Sequence, residues 1–175
     1  VVMAALQPVA GKLGDRLGRR WMLAGGLTCF GVTSLAAATA TSLPMLVAMR
    51  MLQAAGGAVA LPNATALVRE LVPVERRGRQ MGLVGSAIAM AAAFGPPLGG
   101  ALVGWIGWRA IFFANLPLAV AAVAICLRVV PAGSGRRPSQ RFDLGGTLLL
   151  PALLAATALC LSVGIRQAPP VVLGA

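Results

Sequence analysis

Five runs of about twenty apolar residues, at 21–40, 43–68, 81–103, 110–130 and 144–164, alternate with short bursts of charge. At 1.5 Å of rise per residue, a helix of roughly that length crosses a hydrocarbon core about 30 Å thick. Lipid offers no partners to backbone N–H and C=O groups, so a segment this long spans only as a helix; a barrel strand would alternate over about ten residues. The expected fold is an all-α membrane protein, a bundle of transmembrane helices. Composition agrees: 58% of the chain is hydrophobic and 11% charged, against about a quarter charged in soluble domains, and disorder requires the opposite balance. Residues 1–10 are apolar but too short to cross, and they lack the basic leader of a signal peptide. They read as the end of another span. With a first residue Val1 and a new apolar run starting at Val171, the pattern predicts a piece of a longer membrane protein. Pro62, Gly95, Pro96, Pro117 and Pro151 fall inside the spans, where neighbouring helices can satisfy freed carbonyls, and are candidate bends.

Lys+Arg number 15 and Asp+Glu 4, a net charge of +11, which raises nucleic acid as a partner. The placement of the cations answers otherwise. Lys12, Arg16, Arg19 and Arg20, then Arg69, Arg76, Arg77 and Arg79, then Arg128, Arg136, Arg137 and Arg141 occupy alternate connections, all on one side if the spans are crossed in turn. Arg109 and Arg166 fall on the other side and Arg50 lies within a span. This is the positive-inside asymmetry, and it makes the basic side cytoplasmic. Aromatic residues are 5% of the chain and do not interleave with the arginines, so no stacking platform for nucleic acid exists; the bilayer is the expected partner. Trp105 and Trp108 mark the opposite interface.

The chain has no His and three Cys on separate spans, so no metal site or cofactor is expected and catalysis is not. An intramembrane protease would need Ser with His, or paired aspartates. A scaffold would have no use for Arg50, seven positions into its span and roughly 10 Å below its outer end, where insertion costs up to about 2.5–3.5 kcal/mol. The four acids, Asp15, Glu70, Glu75 and Asp143, lie in or beside the basic connections. Arg50 therefore either snorkels or takes a partner from a helix outside this chain, a backbone carbonyl, cavity water or a substrate. Gln53, Ala54, Gly57 and Leu61 share its helical face, which is small and polar. Asn63 lies on the opposite face as a packing polar residue, and Asn115, shallow in its helix, is a candidate cavity residue able to hydrogen-bond across the bundle. In the first connection Gly11, Gly14 and Gly18 permit a tight reversal, and Asp15 suits a helix N-terminus. Arg16, Arg19 and Arg20 suit acids or lipid phosphates; an ordinary basic turn is the plainer reading. Ala91, Ala92, Gly95 and Gly99 form a smooth stripe that lets another helix approach.

The spacing of the first connection adds a resemblance. Gly11, Leu13, Asp15, Arg16, Gly18, Arg19 and Arg20 match the G-x-L-x-D-R-x-G-R-[RK] signature that the major facilitator superfamily carries between its second and third helices. Residues 46–58 resemble the fourth-helix signature, with Arg50 and Gln53 on its R-x-x-Q positions and Ala54 where a glycine is usual. Gly95-Pro96-Pro97-Leu98-Gly99-Gly100 resembles the fifth-helix signature of antiporters, with Ala91 in place of its leading glycine. Trp108, Arg109, Phe112, Asn115 and Pro117 resemble the opening of helix six in drug:proton antiporters with fourteen spans; the short connection 131–142 fits that group, and Phe142-Asp143-Leu144-Gly145-Gly146 resembles the entry to its extra seventh helix.

The resemblance implies that residues 1–130 are part of an N-terminal six-helix bundle, from the end of helix two to helix six. Residues 131–142 would be a cytoplasmic loop, and 143–175 helix seven with the start of helix eight. It implies a proton-coupled exporter of drugs or other lipophilic small molecules in a bacterial inner membrane, working by alternating access with the remainder of the same chain. Arg50, Gln53 and Gly57 would serve coupling and translocation; Gly11, Asp15, Arg16, Gly18, Arg19 and Arg20 would latch the cytoplasmic side against the other half; Gly95, Pro96, Gly99 and Gly100 would pack and gate. A same-fold exporter of a natural product or metabolite is the alternative, a non-transporting scaffold the lesser one.

Overall fold

The computed structural model describes residues 2–134, and within them the chain runs through α1 (Val2–Leu17), α2 (Arg19–Ala38), α3 (Leu43–Leu71), α4 (Val74–Trp105) and α5 (Arg109–Val129) with no strand. The last four are long and apolar enough to cross a membrane, matching four of the five expected spans; the fifth, at 144–164, lies outside the described residues, as do Arg136, Arg137, Arg141, Pro151, Cys160 and Arg166.

The four described spans are placed as expected, but their ends are not. Each helix near the basic side continues into the charged sequence, because hydropathy marks where a chain leaves hydrocarbon and not where its i to i−4 hydrogen bonds stop. The reversal expected across Gly11 to Arg20 is helix on both sides of a single residue: Gly11 and Gly14 lie inside α1, and Gly18, at φ 97°, makes the break. Asp15 is accordingly in the last turn of α1 and not at a helix N-terminus. The second connection shrinks to Val72 and Pro73, which places Arg76, Arg77 and Arg79 on the opening turns of α4. Helix ends are otherwise conventional. Ser42 caps α3 by accepting from the Met45 N–H at 3.4 Å, with Pro44 in the first turn. Gly107, at φ 103°, ends α4 by donating to the Val103 and Leu102 carbonyls. Pro62, Pro96 and Pro117 are carried inside continuous helices.

The core is made of small residues. Its buried apolar members are mostly alanine, with Leu67, Phe112 and Cys126, because inside a bilayer helices gain nothing from exchanging lipid for leucine and associate through close packing. The tightest seam joins α2 to α3: a Cβ on Gly26 would sit 2.8 Å from the Gly56 carbonyl, and one on Gly56 would meet Gly26 O and Phe30 N, both at 2.8 Å. α5 packs on the other side of α2, and α1 against α3. α4 touches α3 and α5 sparingly and buries no residue among those described.

Candidate functional site

Near the end of the bundle opposite the arginine clusters, three helices bring polar side chains to one level. Arg50 lies seven residues into α3, Asn115 six into α5 and Ser34 four from the end of α2, about 6–10 Å from those helix ends. The Arg50 guanidinium donates from Nη1 to Oε1 of Gln53, three residues further along α3, at 3.0 Å. Its Cζ stands 4.5 Å from the centroid of Phe112, whose ring face attracts a cation. Gln53, 3% exposed, donates from Nε2 to Ser34 Oγ at 2.8 Å. Ser34, fully buried, donates to the Phe112 carbonyl at 3.3 Å and also accepts from Asn115 Nδ2 at 3.3 Å. The layer thus links Arg50, Gln53, Ser34, Asn115 and Phe112 through three helices. Gly57 is half-buried and adds no side chain to it; its neighbour Gly56 is the glycine in backbone contact with α2.

Ser34 and Phe112 were not among the sequence candidates. Ser34 is one small hydroxyl in a run of alanines, and Phe112 was one letter of a helix-opening motif. The available signal was that every polar side chain inside a span must find a partner, and Gln53 needed a second one besides Arg50.

Arg109, the cation on the acid-poor side, is a clamp. Its Nε and Nη2 donate to the Ala38 and Ala40 carbonyls at 3.1 and 3.2 Å, at the C-terminus of α2 where the helix dipole is negative. It also stands 4.4 Å from the centroid of Trp108, which meets Phe112 edge-on at 6.0 Å.

At the basic end Asp15 Oδ1 accepts from Arg19 Nη2 and Nε at 2.7 and 3.0 Å across the Gly18 break, and Arg19 Nη1 lies 3.8 Å from Glu70 Oε2. Arg20 donates from Nη2 to the Leu127 carbonyl at 2.6 Å near the end of α5, and the Ser134 carbonyl accepts from the Arg19 N–H at 3.0 Å. Arg16 is engaged as well. Within this bundle Arg19 reaches Glu70 and Arg20 reaches Leu127, because the chain returns to the same end after α3 and α5. The contacts also place the α1–α2, α3–α4 and post-α5 connections at one end, as the charge asymmetry required.

The stripe on α4 is different. A Cβ at Gly95, Gly99 or Gly100 would meet nothing within 4 Å among the described residues, and Pro96 sits within the uninterrupted helix. No cluster of metal-ligating side chains occurs among the described residues.

The sequence matches the family model of the Major Facilitator Superfamily over residues 1–173. A tetracenomycin C resistance and export protein of Streptomyces glaucescens is 35% identical over 91% of this chain and 29% of its own length. A multidrug resistance protein B homolog of Mycobacterium tuberculosis is 36% identical over 86% of this chain and 28% of its own. The MFS-type transporter YvkA of Bacillus subtilis is 35% identical over 86% of this chain and 34% of its own. The chain spans about a third of the length of these curated relatives. With apolar spanning helices, a basic face and a match over nearly every residue, this multi-pass membrane chain belongs to the Major Facilitator Superfamily.

Proposed function

We propose that the chain works in a proton-coupled secondary transporter of the bacterial cytoplasmic membrane that exports drugs or other lipophilic small molecules by alternating access. The observation that carries this reading is Arg50: a charge inside a span, bonded to Gln53 and standing over the Phe112 ring, at the end of the bundle away from Asp15, Glu70 and Glu75. A charge at that depth is expensive and is kept where it serves an ion or substrate path. Its role here is to lower the pKa of a carboxyl group on a helix outside the described residues, so that proton and substrate compete for one cavity. Asp15, Arg16, Arg19 and Arg20 hold the cytoplasmic end of this bundle together as one body, the form in which it would rock. Gly95, Pro96, Gly99 and Gly100 on α4 offer the smooth face for the opposing half. The names of the relatives from Mycobacterium tuberculosis and Streptomyces glaucescens support export, and the second of them, an export protein for tetracenomycin C, favours a natural product as an alternative cargo.

The test is Arg50→Ala in the transporter reconstituted into vesicles with an imposed pH gradient. Proton-driven export of a lipophilic cation is expected to vanish while expression is retained; export at the wild-type rate sinks the reading. A panel of lipophilic cations and natural products, tetracenomycin C among them, separates the two cargo classes.

A further inference from the structure

We infer that Ser34 is the positioning residue that sets the Arg50 charge, by fixing which end of the Gln53 amide faces it; the inference rests on the coupling role given to Arg50 above.

The chemistry of one hydroxyl decides the orientation. Ser34 has one O–H proton and two lone pairs. Its proton goes to the Phe112 carbonyl at 3.3 Å, a group that can only accept. Its oxygen is then left as an acceptor, so any amide touching it must present N–H. Gln53 does so with Nε2 at 2.8 Å and Asn115 with Nδ2 at 3.3 Å, and the hydroxyl is saturated. With its nitrogen end committed, the Gln53 amide turns its oxygen to Arg50 Nη1 at 3.0 Å. Were the amide reversed, two sets of N–H donors would face each other. Gln53 is 3% exposed and Ser34 fully buried, so no water competes for either group and the preference is strong. The Phe112 ring closes one face of the guanidinium. One serine on α2 thereby transmits the position of the α5 backbone to a charge on α3.

Among the described residues the other charge at this end is Arg109, already held by Ala38 and Ala40; the acids Asp15, Glu70 and Glu75 are at the far end. Loosening Arg50 therefore weakens its hold on an acid elsewhere, and that acid's pKa rises.

The experiment is a double-mutant cycle on the reconstituted transporter with Ser34→Ala, Gln53→Met and both together, beside Arg50→Ala. The pH midpoint of export is expected to move up by roughly half a unit or more in Ser34→Ala, and the double variant to match Gln53→Met alone, since the serine acts through the amide. Additive shifts, or no shift in Ser34→Ala while Arg50→Ala changes the profile, overturn the inference and leave the Arg50 reading intact. A second readout does not depend on coupling: modification of Arg50 by phenylglyoxal, followed residue by residue with mass spectrometry, is expected to run several-fold faster in Ser34→Ala. An unchanged rate at Arg50 overturns the positioning role. A faster rate alongside wild-type export in Arg50→Ala upholds the positioning and removes only the proton-coupling reading.

Discussion

The α2–α3 seam and the exposed face of α4 are built from the same kind of sequence and end in opposite conditions. Both are rich in Gly and Ala. At the seam Gly26 and Gly56 bring two backbones into contact; along α4, Gly95, Gly99 and Gly100 face open space among the described residues. The difference is in the polar groups beside them. Ser34 and Gln53 need one another across the α2–α3 seam, and Asn63 reaches from α3 to the Ala10 carbonyl of α1 at 3.2 Å. Among the described residues no polar side chain ties the Gly95–Gly99 stretch to a neighbour. Small residues permit a close approach, but in lipid it is the need to satisfy buried polar groups that chooses the partner. The seam is backbone contact within this bundle, and on the function proposed above the α4 face meets the opposing half only during the transport cycle.

The sharpest way to break this comparison is to overpack the seam. Gly56→Leu places a branched side chain where a single Cβ already falls 2.8 Å from the Gly26 carbonyl and Phe30 N, and backbone cannot swing aside as a side chain can. The expected cost is on the order of 3 kcal/mol or more, with loss of the α2–α3 approach and of the Ser34–Gln53 bond that depends on it. Thermal unfolding in detergent measures this. A melting temperature equal to wild type would mean the two helices are not held backbone to backbone.

A smaller effect is expected at the α1–α3 crossing. A Cβ on Gly14 would collide with Asn63 Oδ1 and lie 2.9 Å from its Cγ, so Gly14→Ala pushes aside a side chain that is 1% exposed and breaks its bonds to the Ala10 and Val59 carbonyls. About 1–2 kcal/mol should be lost. Adding Asn63→Ala removes the collision, so the double variant should melt no lower than Gly14→Ala alone. Additive losses would show that the two residues do not meet. This glycine also marks where sequence reading stopped. As one of three glycines in a basic stretch, Gly14 looked like part of a loop; it is helical, and it is glycine to make room for Asn63. The spans, the basic end and the Arg50–Gln53 pair were legible because they depend on hydropathy, alternation and spacing within one helix. Ser34, Phe112 and the ties from Arg19 to Glu70 and from Arg20 to Leu127 were not, because each joins residues on different helices, and no spacing along the chain encodes which helices are neighbours.

On α4 the same substitution used at the seam should leave the bundle's stability nearly untouched and act on transport instead. A Cβ at Gly99 would meet nothing within 4 Å among the described residues, so Gly99→Leu should move the melting temperature far less than Gly56→Leu. If another part of the transporter closes on this face during the cycle, the added side chain overpacks that closed state alone. A penalty of about 1–3 kcal/mol there lowers the ratio of closed to open states roughly fivefold to a hundredfold, at about 1.4 kcal/mol per factor of ten. Export in vesicles should fall by about that factor, with cysteine labelling along α4 rising as the face stays open. Gly99→Ala, which adds one methyl, should fall between wild type and Gly99→Leu. Full export by Gly99→Leu would mean that nothing approaches α4 closely at any point in the cycle. A melting loss as large as that of Gly56→Leu would instead make this face a second permanent seam, and the contrast between the two helices would disappear.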